Sequence, residues 1–324
     1  MPTDKPLISV LMAVYNPRLD WLKLQLDSLN AQTYPNLRLY IRDDCSPAVP
    51  FETVSALVSE SITAFPFTLT RNERNLGSNL TFEMLTQEAK GEYFSYCDQD
   101  DIWLPEKLSI LQETIEKKKA TLVCSDMLII DGEGKQIAES ITKIRRHHIF
   151  RSGTGLADTL WYSNFSSGCA LLVCADLAKK AVPFNPYMYY DHYITLFCAN
   201  EGTVISLPDK LILHREHGGN QSSTLQGVYD RESYQRIRID GKAEEIHWLK
   251  KNFKCNGHLQ EILTEGDLWM TARQQYVRGD RSQRKTIWQY RHYAPAASFF
   301  EIIGPYLPDS FFRFALWTIQ KIYS

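Results

Sequence analysis

A length of 324 residues suffices for one large α/β domain with an appendage or for two domains, and 44% hydrophobic residues allow a sizeable core. The net charge of −2 gives no reason to expect nucleic-acid binding, and seven scattered cysteines without a CxxC pair favour reduced, buried thiols over disulfides or zinc. With no signal peptide pattern and no run of about 18 apolar residues, we expect a cytoplasmic protein without a membrane-spanning helix.

The first 70 residues alternate between strand and helix patterns. Residues 8–16 form a continuous apolar run, which is typical of a strand buried on both faces of a parallel sheet. Leucines at helical spacing follow, and a second apolar run at residues 37–41 ends in Arg42-Asp43-Asp44-Cys45-Ser46. A weaker helix at 51–60 and a strand at 67–70 continue the alternation. The first two strands therefore end in polar groups on the same side of the predicted sheet.

A polar loop precedes the next helix. It contains Asn72, Asn75, Gly77, Ser78 and Asn79. This composition suits a loop that presents amide groups to a ligand, and it also suits ordinary turn chemistry.

An acidic cluster follows the predicted central strand. The aromatic, alternating run 93–97 predicts a buried strand, and Asp98, Asp100 and Asp101 come directly after it. Carboxylates this close raise one another's pKa unless a cation lies between them, and oxygen ligands favour Mg²⁺ or Mn²⁺. In open α/β sheets the ligand crevice lies at the carboxyl ends of the strands. The cluster indicates a metal site, with an acidic turn that only caps the next helix as the alternative.

The next segment predicts further strands and an irregular stretch. A strand at 121–124 is followed by a hairpin around Asp131-Gly132. Residues 140–166 combine basic side chains with aromatic ones, namely Lys143, Arg145, Arg146, His147, His148, Trp161, Tyr162 and Phe165. Such aromatic side chains could form a platform for a sugar ring or lie in the core.

Polar groups also follow the later apolar elements. After a predicted strand at 171–174, Asp191 stands at the start of a helix. Short strands at 202–207 and 211–213 then lead into His214-Arg215-Glu216-His217-Gly218-Gly219-Asn220.

The character of the sequence changes after about residue 222. Because the rest is helical and lacks a strand pattern, we expect a catalytic domain at 1–222 and a helical region at 223–324. Residues 271–293 carry six basic side chains and one acid, and an aromatic, apolar tail follows. A basic stretch before short aromatic helices is typical of a segment at a membrane interface. Packing on the catalytic domain, or assembly of a homo-oligomer, would bury the same faces.

Together these elements predict a nucleotide-binding sheet with a divalent metal. The chain lacks a GxxxxGK[ST] phosphate loop, and no GxGxxG follows the first strand, so neither an ATPase nor a dinucleotide-binding enzyme is indicated. A site that binds a nucleoside diphosphate through a cation remains, with the metal acting as a Lewis acid on the leaving group. A nucleotidyltransferase would use similar components, but the glycine-rich, lysine-bearing signature is missing near the first strand.

The order of the motifs resembles the family 2 glycosyltransferases of the GT-A fold. The resemblance covers about residues 6–222 and is carried by Val10 to Asn16, Arg42-Asp43-Asp44-Cys45-Ser46, Asn75-x-Gly77-x-Asn79, Asp98-Gln99-Asp100-Asp101-Ile102-Trp103, Asp191 and His214-Arg215-Glu216-His217. It implies an α/β GT-A fold, a mixed nucleotide-binding sheet flanked by helices, with a C-terminal helical extension. It also implies an inverting mechanism, in which an acceptor hydroxyl displaces the nucleoside diphosphate from the anomeric carbon of the donor.

The resemblance implies roles for the matched residues on the donor side. Tyr15 and Asn16 would border the base pocket, Asp44 would hydrogen-bond the pyrimidine ring, and Asn75 and Asn79 would belong to the nucleotide-sugar site. Asp100 would lie near the ribose or the sugar, Arg215 would contact phosphate, and Asp101 and His217 would bind Mn²⁺ or Mg²⁺.

The resemblance also implies the catalytic base. Asp191 matches the carboxylate that deprotonates the acceptor hydroxyl. The commoner Glu-Asp pair of the family is replaced here by Tyr190-Asp191, so a single carboxylate is available for this role.

Within the family, the stretch from Cys97 to Leu108, with Asp191 and the spaced Arg215, His217 and Asn220, is most similar to bacterial rhamnosyltransferases of cell-wall or capsular polysaccharide synthesis. This likeness implies a dTDP-L-rhamnose donor and a saccharide or lipid-linked saccharide acceptor at the inner face of the cell membrane. The alternatives are a UDP-hexose donor carrying glucose, galactose or N-acetylglucosamine, and a carbohydrate-binding protein without turnover.

Overall fold

A computed structural model describes residues 5–145, 148–217 and 227–323 of the chain. The chain divides into two compact units, one of Met1–Phe184 with Tyr189–Gly218 and one of Asn185–Met188 with Gly219–Ser324. The domain boundary predicted at residue 222 lies outside the described residues, as do Arg146, His147 and Asn220, and the boundary stays a prediction.

The first unit contains one mixed sheet, to which nine strands contribute within the described residues. They are β1 (Ile8–Val14), β2 (Leu37–Asp43), β3 (Phe67–Arg71), β4 (Tyr93–Cys97), β5 (Ile102–Trp103), β6 (Leu122–Ile130), β7 (Gln136–Ala138), β8 (Leu171–Cys174) and β9 (Val204–Arg215). The helices are α1 (Leu19–Asn30), α2 (Phe51–Ser61), α3 (Ser78–Glu88), α4 (Lys107–Lys118), α5 (Ile141–Ile144), α6 (Ala157–Leu160), α7 (Ala175–Lys180) and α8 (Tyr190–Glu201).

The sheet order is β3-β2-β1-β4-β8-β6-β9-β5, and β7 pairs with β6. The strands β3, β2, β1 and β4 are parallel, as the β-α alternation predicts, whereas β8 runs antiparallel to β4 and β6. Leucines 22, 26 and 29 of α1 pack on the buried side chains of the sheet, because their helical spacing places them on one face. The predicted mixed sheet flanked by helices is thus confirmed.

Two later strands are longer than the sequence predicts. β6 continues from the predicted strand through Ile130, and the two short strands predicted around Pro208 form the single strand β9. The register of β6 against β9 shifts next to Asp126, so the pairing skips the residues around Pro208 and then continues to the end of both strands. As a result β9 extends to Arg215 and brings His214 to the acidic turn.

The second unit is helical throughout its described residues. After α9 (Arg231–Tyr234) and a π-helical segment at Gln235–Asp240, it contains α10 (Gly241–Asn252), α11 (Gly257–Val277), α12 (Arg284–Gln289), α13 (Pro295–Ile303) and α14 (Asp309–Tyr323). A buried ion pair joins two helices, because Arg273 Nε donates to Glu301 Oε2 at 2.6 Å. Tyr234 Oη donates to the same carboxylate at 2.8 Å.

Every helix within the described ranges is too short or too polar to cross a membrane.

Candidate active site

The acidic turn after β4 is held against the end of β9. Strand β5 pairs antiparallel with β9, with Ile102 opposite Leu213. As a result, Asp101 Oδ1 accepts hydrogen bonds from His214 Nδ1 at 2.9 Å and from the Arg215 backbone N–H at 3.0 Å. Asp101 is fully buried and His214 nearly so. The two-residue strand β5 therefore connects the acidic motif to the late histidine motif.

The pKa values of this buried pair favour its charged form. Burial by itself would raise the pKa of Asp101, but the charge and hydrogen bond of His214 lower it below its ordinary value. Burial would lower the pKa of His214, yet the neighbouring Asp101 raises it to about 9.

A second carboxylate-imidazole pair lies at the more accessible side of the turn. His217 Nε2 is 2.8 Å from Asp100 Oδ2, and the side chains are 24% and 19% exposed, against 0% for Asp101. Burial and the charge of Asp101 raise the pKa of Asp100. Burial and the neighbouring carboxylates raise the pKa of Asp98 to about 8. Such repulsion is what a bound cation would relieve.

The donor atoms of the turn fit a metal ion in two ways. Asp101, Cys169 and His214 each present a ligand atom within 4.8 Å of the others, and all three residues are buried. The Oδ2 atom of Asp101 lacks a nitrogen or oxygen donor within the described residues, and the Cys169 thiol is its neighbour. A thiol suits softer metals, whereas the Asp100 carboxylate with the His217 imidazole suits Mn²⁺. Asp101 and His217, paired as ligands by the sequence prediction, thus contribute to different groups.

Asp191 lies at the N-terminal end of α8. Its Oδ2 accepts from the backbone N–H of Gly168 at 3.0 Å, and its Oδ1 accepts from the backbone N–H of His192 at 2.6 Å. Burial raises the pKa of Asp191 to about 6, although these hydrogen bonds and the charge of Arg145 act to lower it. A carboxylate with a pKa near neutrality is suited to accept a proton from a hydroxyl group. Gly168 precedes Cys169, whose thiol lies within 4.8 Å of a carboxylate oxygen of Asp101, so Asp191 is held next to the acidic turn.

The short 3-10 helix that begins at Gly168 leaves no room for a side chain at that position. A Cβ atom there would overlap the Tyr190 hydroxyl and lie 2.6 Å from Tyr190 Cζ. The Tyr190 ring is itself fixed, because it stacks on Phe82 with ring centroids 4.2 Å apart. Asn79 Oδ1 accepts from the Tyr190 backbone N–H at 3.0 Å. Asn79, predicted in the nucleotide-sugar site, is therefore placed where it holds the start of the helix that bears Asp191.

Asp44 organises the polar loop before α3. Its Oδ1 accepts from Asn72 Nδ2 at 2.7 Å and from the Leu76 backbone N–H at 2.8 Å, and its Oδ2 accepts from the Gly77 backbone N–H at 2.8 Å. Gly77 has φ of +81°, which a glycine adopts without strain. Asn75 Nδ2 donates to the Asp44 carbonyl at 3.4 Å. A carboxylate accepts about four hydrogen bonds, so at most one site remains for a pyrimidine ring.

The ends of β1, β2 and β4 meet at Tyr15 and Asn16. The Tyr15 backbone exchanges two hydrogen bonds with the side-chain amide of Gln99, at 2.8 and 3.1 Å. Asn16 has φ of +43°, donates from its backbone N–H to Ser46 Oγ at 2.8 Å and accepts from the Ala48 N–H at 2.9 Å. The Tyr15 side chain is 44% exposed. An exposed ring at the carboxyl ends of the strands is available to a nucleobase.

The Arg215 side chain is buried and donates to backbone carbonyls, although it was predicted to contact phosphate. Its Nε donates to the Asp100 carbonyl at 2.9 Å and its Nη1 to the Asp131 carbonyl at 3.0 Å, and the residue is 1% exposed. The guanidinium thus fixes the acidic turn to the end of β6, and its contact with phosphate stays a prediction.

Sequence reasoning missed two side chains that shape the site. Trp21 lies with its ring 5.0 Å from the His217 ring and 4.9 Å from Arg215 Cζ, so it supports both. Lys107 is fully buried, its Nζ donates to the Cys169 carbonyl at 2.7 Å, and burial lowers its pKa to about 7. Lys107 lies within the stretch from Cys97 to Leu108 that carries the family resemblance, so its position could have indicated a role in the site. No pattern in the sequence distinguished Trp21.

The irregular segment 140–166 contributes less than the sequence suggested. Trp161 and Phe165 are buried, which agrees with the core interpretation and leaves them unable to stack on a sugar. Arg145 Nη2 donates to Glu216 Oε1 at 3.1 Å and so connects this segment to the end of β9.

Solved structures share this architecture. The chain is similar to S. aureus TarS in complex with UDP-GlcNAc, with a TM-score of 0.56 and 15% identity over 91% of this chain and 89% of that one. It is also similar to the mannosyltransferase PcManGT from Pyrobaculum calidifontis in complex with GDP-Man and Mn²⁺, with a TM-score of 0.57 and 16% identity over 99% and 86% of the two chains. The fold is therefore that of the GT-A glycosyltransferases.

The sequence comparisons define the family. The model of glycosyl transferase family 2 matches residues 9–179, and the chain belongs to this family. An uncharacterized glycosyltransferase of Haemophilus influenzae is 32% identical over 111 residues, which are 34% of this chain and 35% of that protein. One from Rickettsia typhi is 27% identical over 59% of this chain and 57% of its own length, and one from Nostoc is 25% identical over 74% of each. The chain thus spans about a third of the length of the Haemophilus influenzae relative and somewhat over half of the length of the Rickettsia typhi relative.

Proposed function

We propose that this protein is an inverting, divalent-metal-dependent glycosyltransferase that moves L-rhamnose from dTDP-L-rhamnose to a saccharide or lipid-linked saccharide acceptor. The observation that carries the proposal is the half-buried Asp191 carboxylate, held by two backbone N–H groups, one of them from Gly168 next to Cys169 at the acidic turn. Membership of glycosyl transferase family 2 supports the reaction type. The rhamnosyl donor rests on the resemblance of residues 97–108 and the Asp191 and Arg215 motifs to bacterial rhamnosyltransferases.

In the proposed reaction Asp191 acts as general base. Its carboxylate takes the proton of the acceptor hydroxyl while the oxygen forms a bond to the anomeric carbon of the donor. The bond from that carbon to the diphosphate breaks on the opposite side, so the configuration inverts and the nucleoside diphosphate leaves. Because the hydrogen bonds from Gly168 and His192 fix both carboxylate oxygens, the base keeps one orientation when the acceptor arrives.

We propose that Asp100 and His217 hold the divalent cation, and that Asp101 stabilises the turn through its hydrogen bonds to His214 and the Arg215 N–H. The first two side chains are partly exposed and adjacent, whereas Asp101 is fully buried and engaged by His214 and Arg215. A bound Mn²⁺ or Mg²⁺ would act as a Lewis acid that stabilises the negative charge of the departing diphosphate. Trp21 lies against His217 and would restrict that ring to the orientation facing Asp100.

Paired variants test this assignment of ligands. Asp100→Asn should keep the melting temperature of the wild-type apoprotein but lose the additional stabilisation by nucleotide with Mn²⁺. Asp101→Asn should already lower the melting temperature without ligand, because His214 and the Arg215 N–H lose a charged acceptor. A full Mn²⁺-dependent shift in Asp100→Asn would contradict the proposal and return the ligand role to Asp101.

Nucleotide-dependent thermal stabilisation tests the donor. The purified protein would be melted with dTDP, UDP or GDP, each with Mn²⁺, with Mg²⁺ and with EDTA, since a ligand of the native state raises its stability. A metal-dependent shift that is largest with dTDP is the expected result. No shift with any nucleotide would argue for a carbohydrate-binding protein without turnover.

A UDP-hexose is the second candidate donor. It is favoured by the similarity in fold to TarS, whose structure holds UDP-GlcNAc. The base and the metal ligands would be unchanged, and a thermal shift largest with UDP would favour this donor over dTDP-rhamnose.

A further inference from the structure

The last helix of the second unit is apolar on two opposite faces. Phe312 and Leu316 of α14 are buried in a core with Val228, Tyr234 and Ile239. On the opposite face Phe311, Phe314 and Trp317 follow one another at helical spacing and are 64%, 63% and 55% exposed. A helix of a globular protein normally exposes a polar face, so we expect another surface to bury this second apolar face.

The segment that ends in this helix carries a net positive charge. Residues 281–324 contain six Lys or Arg and only two acids, Glu301 and Asp309. Both acids are neutralised within the unit, since Glu301 pairs with the buried Arg273 and Asp309 with Arg231 at 2.6 Å. Arg313 is exposed on α14 beside Asp230 and Glu232. Arg281, Arg284, Lys285 and Arg291 are exposed in the segment that precedes α13.

We propose that Phe311, Phe314 and Trp317, together with Arg313 and the exposed basic residues of 281–291, form a docking surface for an anionic lipid bilayer. Aromatic side chains on one face of an amphipathic helix enter the boundary between headgroups and acyl chains, and basic side chains are attracted to anionic headgroups. The surface requires no span of the membrane.

Charge decides between a bilayer and a second copy of the chain. A symmetric dimer through this face would place the same patch on both sides of the contact, so the exposed basic side chains of 281–291 in the two copies would repel one another. An anionic bilayer supplies the opposite charge and an apolar layer at once. The proposal is independent of the sugar that the enzyme transfers, because it concerns a surface of the helical unit alone.

Substitutions test the surface better than truncation. Deleting residues 298–324 would remove Glu301 and leave Arg273 buried without its carboxylate, and it would also remove Phe312 and Leu316 from the core. The test therefore uses the full chain with Phe311→Ser, Phe314→Ser and Trp317→Ser combined. The matched control combines Leu24→Ser, Ile137→Ser and Ile149→Ser, which replace three apolar side chains of similar exposure in the first unit. Circular dichroism and melting curves verify that both variants fold.

The measurement is sedimentation with vesicles of phosphatidylcholine containing phosphatidylglycerol, and with pure phosphatidylcholine vesicles. The wild type and the control should bind the anionic vesicles, and the triple variant should lose at least about tenfold in partition coefficient. Arg313→Glu should weaken binding to anionic vesicles about fivefold or more and leave neutral vesicles unaffected. If the triple variant fails to fold, this charge reversal alone decides.

Three results would overturn the proposal. The first is that the wild type does not bind anionic vesicles. The second is that the folded triple variant, or Arg313→Glu, binds them as well as the wild type does. The third is a dimer in analytical ultracentrifugation that the triple variant abolishes while vesicle binding stays the same. Because vesicle binding is measured without donor or acceptor, its failure would leave the glycosyltransferase proposal intact.

Discussion

Gly168 offers a direct test of how the catalytic base is positioned. In Gly168→Ala the new methyl group would overlap the Tyr190 hydroxyl and lie 2.6 Å from Cζ, well inside van der Waals contact. Tyr190 has no room to withdraw, since it is 7% exposed and stacks on Phe82. Relief must come from a shift of the 168 loop or of the start of α8, and overpacking of this kind costs about 1–3 kcal/mol of the free energy of unfolding.

The same shift should reach the chemistry. Gly168 N–H donates to Asp191 Oδ2 at 3.0 Å, so a displaced loop moves or releases the base. A displacement of roughly 1 Å can reduce turnover by about a hundredfold, and we expect kcat to fall by about ten- to a hundredfold while nucleotide affinity changes little. Tyr190→Phe in the same chain should restore part of the loss, because it removes the overlapping hydroxyl.

The assay is release of nucleoside diphosphate with the donor that stabilises the protein most, together with urea unfolding followed by circular dichroism. Gly257→Ala is the matched control, because a Cβ there meets nothing within 4 Å. Normal kcat and normal unfolding in Gly168→Ala would refute the inference that Gly168 positions the base.

Three further predictions follow from buried charges. Activity should fall about tenfold from its plateau by pH 5, because Asp191 must be ionised and its pKa is raised to about 6. The midpoint of the pH–rate profile should rise in Arg145→Gln, because the charge of Arg145 lowers the pKa of Asp191. A flat profile down to pH 5 would exclude Asp191 as the general base. Asp44→Ala should lower the free energy of unfolding by about 3 kcal/mol in urea titrations without nucleotide, since three donors lose a charged acceptor. Unchanged stability with weaker nucleotide binding would instead indicate that Asp44 acts only on the pyrimidine ring of the nucleotide. Glu301→Ala should cost about 3–5 kcal/mol in the same titration by leaving Arg273 buried without its partner, and a loss below 1 kcal/mol, the size of a surface pair, would contradict this.

The parallel half of the sheet was predictable because its strands are fully buried. Residues 8–16 and 37–41 are nearly continuous apolar runs, and only a strand covered on both faces requires such a sequence. The acidic groups after β2 and β4 could likewise be located at one edge, since parallel strands end on the same side.

The contacts within the site were not predictable, because they depend on pairing between distant segments. Asp101 and His214 meet only because a two-residue strand pairs with the end of β9, and so short a strand has no periodicity to detect. The composition of the loop before α3 was compatible with ligand binding or with a turn. In the fold, the Asp44 carboxylate accepts hydrogen bonds from the loop backbone, a contact that no local pattern predicts. Lys107 lies at the start of a helix, where a lysine is usually solvated, yet the fold buries it completely.

The most direct test of the account compares binding and turnover in Asp191→Asn. The wild type and the variant would be melted with nucleoside diphosphate and Mn²⁺, and the transfer of sugar from the matching donor would be followed by release of nucleoside diphosphate. We expect an equal rise in melting temperature for both proteins and transfer only by the wild type, because Asp191 acts on the acceptor and not on the nucleotide. Normal turnover in Asp191→Asn would contradict the proposed mechanism at its centre.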